Sequence, residues 1–177
     1  KSFMNVEFVN PFLNATTSVF HTMLGCELVR GQASLKRNRA PEYEVSGLIG
    51  LTGKYQGMVI VSLGRDTAIR ATEILLSERP PTLNHDVVDA VGEIANMIAG
   101  AAKAQLEKYN LSVGLPSVIC GKNHSIGFPS NSVPISLPFD STIGPVCVEV
   151  GLSDMSTGAS AIAAGADHAV SAGHACQ

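Results

Sequence analysis

Between Leu83 and Glu107 the apolar residues Leu83, Val87, Val91, Ile94, Ala95, Ile98, Ala102 and Leu106 fall on a single stripe. Their recurrence is that of an α-helix, and a stripe of this length must be covered by a sheet or by other helices. Near the opposite side of the same helix stand Glu93 and Asn96. Their spacing sets the two side chains next to each other, with roughly 5–6 Å between Cβ atoms. Asp89, Gly92, Gly100 and Lys103 are expected on that outward face as well. A glycine inside a helix costs about 1 kcal/mol relative to alanine, so two of them beside an acid and an amide mark a surface that another molecule can approach closely.

The rest of the chain supplies the cover. Phe12, Leu13, Ala15, Val19, Phe20 and Met23 keep a helical period, with Asn10-Pro11 as its expected cap and first residue and Gly25 as its stop. Residues 26–36 read as a strand of mixed character. Glu44–Thr52 and Gly57–Leu63 read as a hairpin turning at Gly53-Lys54-Tyr55-Gln56. Asp66–Ser77 reads as a short helix closed by Pro80-Pro81, and Thr82 or Asn84 can cap the long helix that follows. Leu115–Cys120 is a short strand. Val133, Ile135, Leu137 and Phe139 alternate with polar residues or proline, which predicts an edge strand because proline cannot donate to a ladder. Val146–Leu152 is the final strand. This order predicts an α+β fold with a largely antiparallel sheet packed against long helices.

Composition narrows the functional classes. The 177 residues are 45% hydrophobic and 15% charged, which predicts a globular domain over 1–154. The Ala/Gly/Ser-rich stretch 155–177 reads as a tail or vector-derived extension without function. No apolar run approaches the ~18–20 residues that span a bilayer, so no membrane is expected. A net charge of −3 argues against nucleic acid, and the one basic cluster, Lys36-Arg37-Asn38-Arg39, reads as a solvated turn. Cys26, Cys120, Cys147 and Cys176 are scattered without metal-binding spacing, so they read as reduced thiols of a cytoplasmic protein, and no metal site is expected. Neither a serine-hydrolase motif nor a phosphate loop is present: Gly53-x-x-x-Gly57 lacks the lysine and hydroxyl residue of the latter.

The segment Asp89-x-x-x-Glu93-x-x-Asn96 resembles the active-site signature of the CheC/CheX/FliY family of chemotaxis phosphatases. Asn5-Val-Glu-Phe-Val-Asn-Pro-Phe is similar to that family's first helix. Ser46-Gly-Leu-Ile-Gly-Leu-Thr-Gly with Gly57-Met-Val-Ile-Val-Ser-Leu is similar to its hairpin, and Gly114-Leu-Pro-Ser-Val-Ile-Cys-Gly to the strand after its catalytic helix. The likeness runs in order over roughly residues 3–153. CheC-type members carry two half-sites, and one Glu-x-x-Asn triplet is read here, which is similar to CheX-like members. Pro116 stands a few residues closer to Asn96 than the family's downstream proline does.

The resemblance implies hydrolysis of the aspartyl phosphate on a phosphorylated CheY-like receiver domain. Asn96 would orient the attacking water and Glu93 would pair with the receiver's lysine. Asp89, Gly92 and Gly100 would contact the partner. No cofactor is implied in this chain, because the receiver would bring its own Mg2+, and a homodimer is implied as well. The alternatives are a non-catalytic receiver-binding or adaptor module of the same fold and a structural part of a larger assembly. Taken without the resemblance, an exposed Glu and Asn on a helix are a solvated face, and Asp89 is a residue suited to a helix dipole.

Overall fold

A computed structural model describes residues 6–129 and 132–155; the tail expected over 155–177 lies outside them beyond Met155. In chain order the elements are α1 (Val6–Leu24), β1 (Leu28–Arg30), β2 (Ser34–Leu35), β3 (Val45–Thr52), β4 (Tyr55–Leu63), α2 (Arg65–Leu76), α3 (His85–Ala104), a 3-10 turn (Glu107–Tyr109), β5 (Ser112–Val113), β6 (Ser117–Cys120), β7 (Ile135–Ser141) and β8 (Val146–Asp154). All strands join one antiparallel sheet in the order β1-β7-β8-β4-β3-β5, with β2 also on β7 and β6 also on β3. The α+β architecture is the expected one. The helices cover one sheet face, and Val146, Val148, Val150 and Leu152 of β8 point into the core they share with Phe12, Phe20, Ile94 and Ile98. The alternate residues of β8 face the other side. There loops close the sheet: Phe128 lies so near Gly151 that an added Cβ would meet its ring at 2.5 Å.

Several local expectations shift, each for a physical reason. The first helix starts at Val6, so Pro11 lies inside it instead of opening it. At this sixth position proline has no N–H to give the Glu7 carbonyl, so α1 forgoes one i→i−4 bond in its second turn. The stop at Gly25 is as expected: the residue takes φ +60°, and its N–H donates to the His21 carbonyl. The hairpin turn is tighter than the sequence suggested, because Tyr55 and Gln56 belong to β4 and only Gly53-Lys54 turn. Gly53 (φ +140°) is packed against the Asn110 carbonyl, where an added Cβ would come within 2.5 Å.

β7 is not an edge. β1 and β2 cover its outer side, and the break between them falls opposite Pro138, whose carbonyl accepts from Gly31 N–H at 2.8 Å. The strand near Ile135 is therefore not an open pairing surface for a second copy. Lys36 departs from the solvated turn read for its cluster: its side chain is 6% exposed and its ammonium bonds the fully buried Glu149 carboxylate of β8. Arg37 and Arg39 remain exposed.

Candidate functional site

α3 is the element that positions the candidate site, and its placement follows from three local features. The Asn84 side chain caps it, accepting from Val87 N–H at 3.2 Å, while Asp86 sits in the first turn where the helix dipole favours an acid. Gly47 on β3 lets the helix lie close to the sheet. A Cβ there would meet the Ala95 methyl at 2.8 Å and the Val91 carbonyl at 3.1 Å. Finally, α1, α2, the sheet and the β5–β6 edge all pack on α3. Together they bury Val87, Ala90, Val91, Gly92, Ile94, Ala95, Ile98, Ala99 and Ala102.

Only a narrow strip of α3 stays open. Asp89, Glu93, Gly100 and Lys103 are exposed and Asn96 is half-buried, at spacings that keep them on one line along the helix. Among the described residues, neither the Glu93 carboxylate nor the Asn96 carboxamide is held in a hydrogen bond or ion pair. Both tips are therefore available to a visiting molecule. Gly100 has open space around the position of an absent Cβ.

Gly92 does not belong to that strip. It is buried, and a Cβ there would touch Val118 at 3.4 Å and Pro116 at 3.6 Å. The close approach this glycine permits is to the chain's own β6, so the outward, partner-contacting position read for it is corrected. Close packing against a neighbouring element is the other reading open to a mid-helix glycine; that the element is β6, flanking the helix from the sheet edge through its pairing with β3, is a long-range arrangement that helical period cannot reveal.

Beside Asn96 the open strip borders a groove of about 710 Å³. Asn96, Gly100 and Lys103 form one wall, and Val113, Gly114 and Leu115 form the other. The second wall is the junction where β5 and β6, laid end to end along β3, part company. The sequence placed Leu115 inside a strand and so did not bring it to this groove. Among the described residues, no group of three or more His, Cys, Asp or Glu side chains is arranged to hold a metal, and no helix is long and apolar enough to cross a membrane.

The reading of a single Glu-x-x-Asn triplet is corrected: a second such spacing exists at Glu7 and Asn10 on α1, and it differs in kind. Phe3 stands where Asp89 stands in the first, and the Glu7 carboxylate accepts from the Tyr109 hydroxyl and pairs with Lys108. Those two partners, the hydroxyl foremost, hold the Glu7 carboxyl below the usual carboxylate range. Glu7 thus ties α1 to the 3-10 turn that follows α3 and is already engaged.

Comparison with known proteins agrees with the fold and with the family that the sequence resembles. Residues 45–140 match the family model described as chemotaxis phosphatase CheX. A CheY-P phosphatase CheX from Thermotoga maritima is 26% identical over 138 residues, 76% of this chain and 88% of that protein. A CheC-like superfamily protein from Shewanella sp. PV-4 superimposes with a TM-score of 0.78 at 34% identity, covering 85% of this chain and 99% of the other. The CheX chain of a CheX-CheY-BeF3-Mg2+ complex from Borrelia burgdorferi shares the fold, with a TM-score of 0.73 at 24% identity over 85% of this chain and all (100%) of that one.

Proposed function

The chain belongs to the CheX family of chemotaxis phosphatases, and from that premise we propose that it hydrolyses the aspartyl phosphate of a phosphorylated CheY-like receiver. The observation that carries the reading is the pair Glu93 and Asn96, side by side on the one open strip of α3 with no partner among the described residues.

An aspartyl phosphate is an activated acyl phosphate, so its hydrolysis needs little covalent help from a second protein. What it lacks is a water held in line with the scissile bond, and positioning supplies most of the advantage in a loose phosphoryl transfer. The Asn96 carboxamide can accept one hydrogen bond from that water and donate another, fixing its orientation. Glu93, an acceptor when ionised, pairs with the receiver's lysine and sets the docking register. Asp89, one turn earlier, and Gly100, with its bare backbone, border the contact. Mg2+ is assigned to the receiver; its part there is to neutralise charge on the phosphoryl oxygens. What the Borrelia burgdorferi relative is complexed with, CheY with BeF3 and Mg2+, is a partner of the kind this reading assigns. The strip is complete within one chain, so the chemistry does not depend on a second copy.

The test is phosphate loss from a receiver charged with acetyl phosphate, timed with and without this chain. Wild type should accelerate it. Asn96→Ala should lose the acceleration, by roughly 100-fold or more if water positioning carries the rate, while still binding the receiver in a titration. Glu93→Lys should weaken that binding. Equal turnover by wild type and Asn96→Ala would refute the role of Asn96. Binding by wild type without any acceleration would favour the adaptor reading instead.

A further inference from the structure

The groove beside Asn96 carries one side chain that a monomeric fold does not explain. Leu115 is 91% exposed, the most exposed of the large hydrophobic residues among those described. Its neighbours show that this exposure is built in. Gly114 N–H donates to the Gly50 carbonyl at 2.8 Å, and an added Cβ on Gly114 would meet that carbonyl oxygen at 3.3 Å. On the other side, Pro116 lies over Gly92, its Cβ 3.6 Å from where a Gly92 methyl would be. Gly114 is thus pinned to β3 and Pro116 to α3, and the leucine between them is held outward on a fixed backbone. It stands across the groove from Asn96, Gly100 and Lys103.

We propose that Leu115 is the apolar anchor by which the phosphorylated receiver docks, burying it against the receiver surface next to the phosphorylation site while Glu93 and Asn96 enter that site. The inference rests on the phosphatase reading and adds a specificity-determining residue outside the signature motif. The occupant follows from continuity, because a protein whose acyl phosphate reaches Asn96 from the open side must also pass over the facing wall of the same groove. Leu115 is then a positioning residue that touches the partner but not the reacting atoms. A rigidly presented apolar side chain at the centre of a contact has the features of a binding hot spot.

Initial rates of phosphate loss are measured against receiver concentration, using whichever CheY-like receiver from the same genome wild type acts upon. Leu115→Ala should raise KM about tenfold, the change expected when a hot-spot leucine is truncated, with kcat within about twofold of wild type. Leu115→Met should restore most of the affinity, and thermal melting of both variants should match wild type, since the side chain packs on nothing. An unchanged KM in Leu115→Ala, or a loss of kcat at unchanged KM, would overturn the proposal. So would a change in the sedimentation of the chain alone, because the leucine would then serve a second copy. If wild type binds a receiver but does not hydrolyse its phosphate, the phosphatase reading fails while the titration with Leu115→Ala still decides the anchor.

Discussion

Outside the candidate site, Glu149 is fully buried on the loop-covered side of β8, and its Oε2 has no hydrogen-bond partner among the described residues. Burial pushes its carboxyl above the usual carboxylate range, while the ammonium of Lys36 pulls it back. Removing one member of such a buried pair leaves an uncompensated charge and costs about 3–5 kcal/mol, so Lys36→Met should be strongly destabilised at neutral pH. The pH dependence has a definite sign. Without Lys36 the folded-state pKa of Glu149 rises further above its unfolded value, and the folded state then binds the proton more tightly. Stability is fully present below the unfolded pKa and is lost as pH rises through the folded one. The deficit of Lys36→Met against wild type, measured by denaturant unfolding, should therefore shrink from pH 7 to pH 5; a deficit that grows on acidification would refute this account. Neither half of the pair was read from the sequence: Glu149 lies within the run Val146–Leu152 taken only as a strand, and Lys36 sits in a basic cluster whose remaining members do face solvent, so nothing local marks it as different.

At the scale of elements, α3 shows how far a periodic pattern reaches. Its apolar stripe identified the buried face, and Asn84 its start, because both signals are local. Its end lies earlier than the pattern suggested: the helix stops at Ala104, and Leu106 is buried from the connection into the 3-10 turn. The glycines on and under the helix were not separable by sequence, since each is silent about what stands opposite. Their environments now predict opposite behaviour. Gly100→Ala meets open space and should raise stability by about 1 kcal/mol through helix propensity. Gly47→Ala would press on the Ala95 methyl and the Val91 carbonyl, an overpacking that should cost roughly 1–3 kcal/mol. Thermal melts of the two variants decide this, and a stabilised Gly47→Ala would show that α3 does not depend on that close approach. The candidate site followed the same rule of legibility. Glu93 and Asn96 were readable because they share one helix, whereas Leu115 reaches them only through the pairing of β5 and β6 with β3.

Across the whole molecule, strand order was the least legible property, because β1 and β2 return to β7 over about a hundred residues of intervening chain. Alternation tells which face a residue takes, not which strand lies beside it. The observed order makes β4 and β8 the centre of the sheet, with β8 buried from Val146 to Ser153, while β1 and β2 are short and exposed. Amide hydrogen exchange should accordingly be slowest in β4 and β8 and fastest in β1, β2 and β5; comparable rates throughout would contradict this distribution of cohesion. The position of β8 also bears on how the protein is born. Of the sheet's eight strands it leaves the ribosome last, yet it is the one inserted between β7 and β4. Until residue 154 has emerged, β4 presents an unmated rim to the cell. Nascent chains of this protein are thus committed to a late closure of the sheet, and a ribosome stalled before residue 154 would hold them in their most adhesive form.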